Sequence, residues 1–94
     1  MANNIKVLRK MICSLQPFAP KQKIYIYQDG NKIDAAEVNT DDLTNQIIAF
    51  CDKYYLSSVS FTGPIQYARG IGKKVQEKFL TEYGREIEII YLNN

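Results

Sequence analysis

The stretch SVSFTGPIQYARGIGKK, residues 58–74, decides the fold because a strand pattern passes directly into a helix pattern. Residues 58–62 alternate between polar and apolar, which predicts a half-buried strand with Val59 and Phe61 on one face. Pro64 follows a Thr-Gly turn, and proline is favoured at the first position of a helix. The stretch therefore predicts one strand–turn–helix unit of an α/β domain.

Two glycines interrupt the predicted helix, which runs from Pro64 to about Tyr83 and stops at Gly84. Glycine in a helix interior costs about 1 kcal/mol relative to alanine. On a helical wheel, Gly72 lies at the edge of the apolar side, so we expect it to let helix and strand approach closely. Gly70 lies on the opposite side. Either a ligand or partner approaches it closely there, or it is a tolerated weak residue.

The N-terminal region has apolar residues at helical spacing. These residues are Ile5, Leu8, Ile12 and Leu15. The spacing predicts a short helix over residues 3–15, which Pro17 and Pro20 end.

A hairpin is predicted by KIYIYQDGNKI, residues 23–33. Its strands lie near 24–28 and 32–37, and the second continues towards Val38. Asp29-Gly30 is a favoured two-residue turn whose dihedral angles need positive φ.

A second crossover helix follows the hairpin, and Asn39 or Thr40 can cap it. Its expected buried stripe consists of Leu43, Ile47, Phe50, Cys51 and Tyr54. The closing segment EIEIIYL, residues 86–92, is the last predicted strand.

The predicted order is α-ββαβαβ, a single two-layer α/β domain over residues 1–94 with its α/β core over 23–92. The sheet is expected to be mixed and four-stranded. Right-handed crossovers place both crossover helices on one face. The opposite face, which carries Tyr25, Tyr27 and Ser60, is then left for the N-terminal helix or for a second subunit. We expect these three residues to form a homodimer interface.

The composition excludes several catalytic mechanisms. The 94 residues include no histidine, which excludes a histidine base and a Ser-His or Cys-His nucleophile pair. The two cysteines, Cys13 and Cys51, are expected to be buried or free thiols. Lys6, Arg9 and Lys10 interrupt any signal-peptide core, and no apolar run approaches the roughly 20 residues of a membrane span. We expect a cytoplasmic protein that does not enter a membrane.

A ligand site is predicted where the strand 58–62 meets the helix at Pro64. Backbone N–H groups at a helix start suit phosphate or carboxylate, and open α/β sheets bind ligands at the C-terminal ends of parallel strands. The predicted ligand-binding residues are Thr62, Gly63, Tyr67, Arg69, Gly70 and Lys73. GIGKK lacks the first glycine and the Ser or Thr of a phosphate-binding loop. No catalytic residue, metal site or cofactor is predicted.

The order of these segments is similar to that in a group of small phage proteins. A Tyr-rich strand, a short acidic helix, VSFTGPIQYARGI and EIEIIYL together resemble small uncharacterised open reading frames of phages of Gram-positive bacteria, over residues 23–92. The resemblance implies an accessory product that inhibits or sequesters a component of host defence in the bacterial cytoplasm. It assigns no functional residue.

Three functions remain open, and an enzyme ranks below all of them. The first is a non-enzymatic binder of a phosphate-bearing small molecule, such as a nucleotide signal. The second is a protein-interaction module that inhibits a host enzyme through the tyrosine-rich sheet face. The third is nucleic-acid binding through two basic groups, Lys6, Arg9 and Lys10 with Lys73, Lys74 and Lys78. A net charge of +2 disfavours this third function.

Overall fold

The computed structural model describes residues 8–92, which form a five-stranded mixed sheet with two α-helices packed on one face. The elements are β1 (Arg9–Ser14), β2 (Lys21–Gln28), β3 (Asn31–Asn39), α1 (Leu43–Lys53), β4 (Ser58–Thr62), α2 (Ile65–Tyr83) and β5 (Glu88–Tyr91). The strand order is β3-β2-β1-β4-β5. β1 pairs antiparallel with β2 and parallel with β4, and β5 extends the parallel half. The predicted α/β class is confirmed, with five strands in place of four.

The N-terminal helix predicted over residues 3–15 is wrong across residues 9–14, which form the central strand β1. Residues 1–7 lie outside the described part of the chain. Met11 and Cys13 are fully buried against the helices, and Ile12 is half-buried on the other face. A central strand with cover on one face is apolar at most positions, so its alternation is weak and a helical spacing arises by coincidence.

The hairpin and the helix end are confirmed. Asp29 and Gly30 have φ of +51° and +86°, as the predicted two-residue turn requires. Gly84 ends α2 in the left-handed region with φ of +65°. The capping prediction for α1 is wrong: a 3-10 turn over Thr40–Asp42 precedes the helix, Asp42 holds its N-cap position, and the Thr40 hydroxyl donates to the Ala19 carbonyl.

One hydrophobic core fills the space between the sheet and both helices. The stripe predicted on α1 faces it: Leu43, Ile47 and Cys51 are fully buried, and Phe50 and Tyr54 pack against it half-buried. The buried residues of α2 are Ala68, Gly72, Val75 and Phe79. Within residues 8–92, neither helix is both long enough and apolar enough to span a bilayer.

Gly72 has the structural role that its position predicted. A Cβ atom at Gly72 would lie 2.6 Å from the Tyr91 hydroxyl and 3.1 Å from Cγ2 of Ile89. Glycine therefore sets the close approach of α2 to β5. Gly70 is exposed, and a Cβ atom there would meet no atom within 4 Å. Packing gives no reason for glycine at this position, so its functional role stays a prediction.

Candidate functional site

The loop between β1 and β2 holds an aromatic residue in a strained conformation. The Ala19 N–H donates to the Gln16 carbonyl at 3.2 Å, which closes a four-residue turn with Pro17 and Phe18 at its centre. Phe18 has φ of +69°, a region that normally requires glycine or asparagine at this turn position. For a residue with a Cβ atom, this conformation costs about 1–2 kcal/mol.

A buried amide fixes this loop at its base. The Gln22 side chain is 1% exposed, and its Oε1 accepts from the Gln16 N–H at 2.7 Å. Its Nε2 donates to the Gln16 carbonyl at 2.8 Å and to the Thr40 hydroxyl at 3.0 Å. The Thr40 hydroxyl in turn donates to the Ala19 carbonyl at 2.7 Å. Both ends of the turn are thus tied to the domain, so the turn is presented in one conformation.

The Phe18 ring gains nothing from this arrangement in packing terms, because its relative exposure is 103%. Tyr55 is the matched case elsewhere in the molecule: its φ is +55° and it is 77% exposed. The Arg85 guanidinium, however, lies 4.5 Å from the Tyr55 ring centre, so that ring has a partner within the fold. Strained, exposed residues concentrate at functional sites, and Phe18 has this property without a fold-level reason.

An open cleft of about 850 Å³ lies beside the Phe18 turn. It is lined by residues 17–20, residues 39–42 and Tyr67. The Asp42 carboxylate accepts hydrogen bonds from the Gln46 and Asn45 side-chain amides, at 2.9 and 3.1 Å, and these bonds lower the pKa of Asp42. The cleft therefore carries a fixed negative charge beside an apolar projection.

The start of α2 forms the other side of this region. The Leu15 N–H donates to the Thr62 carbonyl at 3.0 Å, and Gly63 follows with φ of +124°. A Cβ atom at Gly63 would lie 2.6 Å from the Leu15 carbonyl oxygen. Pro64 occupies the N-cap position and gives no side-chain cap, which leaves the first-turn N–H groups of α2 open to another acceptor.

Among residues 8–92, the six predicted ligand-binding residues do not line one common cleft. Tyr67 lines the 850 Å³ cleft, Gly63 lines a separate one, and Thr62, at the end of β4, lines neither. The other three, Arg69, Gly70 and Lys73, are exposed on α2 and line neither the 850 Å³ cleft nor a smaller one of about 410 Å³ beside Gly63. Among residues 8–92, no lysine or arginine lines either cleft.

The chemistry of the remaining reactive side chains is limited. Burial raises the pKa of Cys51 to about 12 and raises that of Cys13 as well. Both are free thiols, and at neutral pH they are protonated and unreactive. Across the described residues, no three potential metal ligands of the His, Cys, Asp and Glu types come together.

Sequence reasoning missed Phe18, the residue with the most unusual geometry in this region. The helical spacing of residues 3–15 predicts that Pro17 and Pro20 end a helix, and in the structure Pro17 lies within this turn and Pro20 follows it. The sequence contains one weak signal for this turn. Pro17 precedes Phe18, and proline is common at the position before the positive-φ residue of a type II turn. Nothing in the sequence indicates the positive φ, nor that the buried Gln22 amide binds the main chain of Gln16 at the start of the turn.

Comparison with known proteins identifies the fold. No protein-family model matches the chain, and no curated protein matches its sequence. A crystal structure from Bacteroides thetaiotaomicron, described as a protein with an actin-like ATPase fold and unknown function, matches with a TM-score of 0.65 and 14% identity. The match covers 92% of this chain and 34% of that chain, so the chain has the architecture of a part of that fold.

A second solved structure, the PPX-GPPA enzyme of Aquifex aeolicus, matches with a TM-score of 0.42 and 14% identity. It covers 89% of this chain and 36% of the enzyme. The chain spans about a third of the length of each of these two structures.

Proposed function

We propose that the chain is a non-catalytic protein-binding domain whose anchor is the ring of Phe18. The carrying observation is that this ring is fully exposed on a turn that is both strained and fixed. Aromatic side chains that insert into a partner's pocket dominate the energy of many interfaces. A fixed turn also loses little conformational freedom on binding, which favours affinity.

The charge around the anchor defines the partner's chemistry. Asp41 and Asp42 line the cleft beside Phe18, and hydrogen bonds from the Gln46 and Asn45 side chains lower the pKa of Asp42. The partner is therefore a protein with an apolar pocket rimmed by lysine or arginine side chains. In keeping with the resemblance to phage accessory proteins, we propose a bacterial defence enzyme as this partner, with the chain acting as its inhibitor.

The experiment is a quantitative capture from lysates of Gram-positive bacteria. Wild-type protein, Phe18→Gly and Tyr55→Gly are immobilised in parallel, and the bound proteins are identified by mass spectrometry. Tyr55→Gly is the matched control, because it also removes an exposed aromatic residue at positive φ. We expect at least one protein that wild type and Tyr55→Gly retain and Phe18→Gly loses.

The purified partner is then titrated against the same three proteins. Loss of an aromatic anchor costs at least about 2 kcal/mol, which is roughly 30-fold in Kd. Equal affinities for wild type and Phe18→Gly, or capture of no protein by any of the three, would contradict the proposal.

A second candidate function is binding of a phosphate-bearing nucleotide at the start of α2. It is favoured by the uncapped first turn of α2 directly after Gly63, at the C-terminal end of the parallel strand β4. The similar structure from Bacteroides thetaiotaomicron is described as having an actin-like ATPase fold, which is compatible with nucleotide binding. Against it, no described lysine or arginine lines the adjacent clefts.

A thermal-shift screen of nucleotides tests this second candidate. A specific ligand at about 100 times its Kd should stabilise the protein by about 2.7 kcal/mol. If the predicted site is right, Arg69→Ala and Lys73→Ala should weaken that shift with little change in the stability of the ligand-free protein. A stabilising ligand whose effect both variants leave intact would exclude those two side chains from the site.

A further inference from the structure

The sheet face opposite the helices, here called the open face, concentrates lysine and tyrosine. Ile24 and Ile26 are buried against the helices, so the alternate residues of β2 point to the open face. The strand register places these groups on it: Tyr25 and Tyr27, the lysines Lys10, Lys21 and Lys23, Glu37 opposite Lys23, Glu88 opposite Ser58, and, beyond a β-bulge, Lys32 opposite Tyr27. Four lysines against two glutamates leave an excess of positive charge.

We infer that the open face binds single-stranded nucleic acid. Proteins that bind single strands combine lysine or arginine, which neutralises the phosphates, with aromatic rings on which bases stack. The sequence alone placed Lys10 in one basic group with Arg9. In the structure the Arg9 guanidinium lies 5.9 Å from the Tyr54 ring on the helix side, whereas Lys10 pairs in register with Tyr27 on the open face; both residues line one cavity at the strand end.

The spacing of the two tyrosines fits an extended strand of nucleotides. Tyr25 and Tyr27 are two residues apart on one face of β2, which is about 7 Å. Stacked bases in a duplex rise by about 3.4 Å, so rings at twice that spacing suit adjacent bases of an unstacked strand. Both tyrosines are half-buried.

A cavity of about 510 Å³ opens on this face beside Tyr27. Its lining includes Lys10, Ile12, Tyr27 and Ser58, which together offer an apolar floor, an aromatic ring, a hydroxyl group and a cation. A nucleobase on Tyr27 would place its phosphate within reach of Lys10. Asp29, also in the lining, accepts the Leu8 N–H at 3.2 Å and adds one negative charge at the turn end of the cavity, which the lysines of the open face outnumber.

A second lysine, Lys32, lies beside Tyr25, the other tyrosine of the open face. The Lys32 ammonium lies 5.4 Å from the centre of the Tyr25 ring. Lys32 is exposed, and its flexible side chain can move from the ring to a phosphate when a base stacks there. Each tyrosine of the open face is thus accompanied by a lysine.

The charge also decides between a nucleic acid and a second copy of the chain. Face-to-face pairing of two copies would bring two positively charged faces together, which disfavours the homodimer expected at Tyr25, Tyr27 and Ser60. A polyanion instead neutralises the lysines and releases their counterions. This surface is separate from the Phe18 turn, so the inference does not depend on the proposed protein partner.

The test is fluorescence anisotropy with labelled (dT)12 and (U)12 oligonucleotides and a 12-base-pair duplex, using the full chain. If three lysines each neutralise a phosphate, affinity should fall roughly 20-fold between about 50 and 200 mM salt. Tyr27→Ala should weaken binding of the single strands at least about five-fold, and Tyr27→Phe should retain it. Lys10→Gln should reduce the salt slope by about 0.7.

Two control variants carry the same changes elsewhere on the surface. Tyr55→Ala removes an exposed tyrosine, and Lys74→Gln removes an exposed lysine on α2. Neither should change the affinity as much as its counterpart on the open face. Equal effects of the two sets, equal affinity for the duplex, or no binding at low salt would overturn the inference. So would a dimer in light scattering that Tyr25→Ala dissociates, because the face would then join two copies.

Discussion

Gly63→Ala should be the most destabilising of the glycine substitutions in this chain. Two costs combine at this position. Alanine at φ of +124° is strained by about 1–3 kcal/mol. Its Cβ atom would also lie 2.6 Å from the Leu15 carbonyl oxygen, a main-chain atom beside the hydrogen bond that joins Leu15 to Thr62. Such overpacking adds about 1–3 kcal/mol.

A loss of about 3 kcal/mol in the free energy of unfolding is therefore expected for Gly63→Ala. For a domain of this size it corresponds to a melting temperature roughly 12–24 °C lower. Urea unfolding followed by circular dichroism measures the free energy directly, and an unchanged m-value would show that the two-state transition is preserved.

Gly70→Ala is the control for Gly63→Ala, because a Cβ atom at Gly70 meets nothing within 4 Å and the position lies within a helix. Alanine there should raise stability by up to about 1 kcal/mol. A loss below about 1 kcal/mol for Gly63→Ala, or no difference between the two variants, would refute the reasoning about the close approach of the β4 end to Leu15.

Two further changes test the packing and the electrostatics. Gly72→Val should destabilise the protein by about 1–3 kcal/mol in urea unfolding, because the added carbons meet Ile89 and Tyr91; a neutral effect would mean that α2 and β5 separate easily. In the wild-type protein, the hydrogen bond from the Tyr54 hydroxyl to the Asp34 carboxylate at 2.5 Å lowers the pKa of Asp34 and raises that of Tyr54. Tyr54→Phe removes this hydrogen bond. Because the pKa of Asp34 is lowered in the folded protein, its contribution to stability is lost as pH falls below about 4. Because the pKa of Tyr54 is raised in the folded protein, its contribution is lost as pH rises above about 10. The difference in melting temperature between wild type and Tyr54→Phe should thus be largest between these limits, and a difference that is the same at every pH would contradict this origin.

The parts of the fold with strong local signals were predictable from the sequence. Local backbone preferences determine both α2, which has proline before it and Gly84 after it, and the Asp29-Gly30 hairpin. These preferences can be recognised directly in the sequence. β1 was not predictable in this way. Its strand character comes from pairing with β2 and β4, which are distant in sequence, and Leu8, Ile12 and Leu15 match helical spacing equally well.

The site was predictable to a smaller extent. Thr62 and Gly63 lie at the end of β4 and Tyr67 lies near the start of α2 because strand and helix are adjacent in sequence, but the three residues do not line one cleft. The position of Phe18 depends on the buried Gln22 amide, and a buried glutamine appears in the sequence as an ordinary polar residue of an alternating strand. The lysines of the open face likewise come from three strands, and their grouping follows from sheet order.

The most direct test of the proposed function measures stability and partner affinity on one variant, Phe18→Gly. Glycine removes the strain at φ of +69° and takes no buried surface with it, since the ring is fully exposed. After allowance for the greater freedom of glycine in the unfolded chain, the variant should be about 0.5–1 kcal/mol more stable than wild type. Its affinity for the captured partner should be roughly 30-fold lower, with Tyr55→Gly close to wild type. Higher stability with unchanged affinity would contradict the assignment of Phe18 as the anchor, and lower stability would contradict the strain on which that assignment depends.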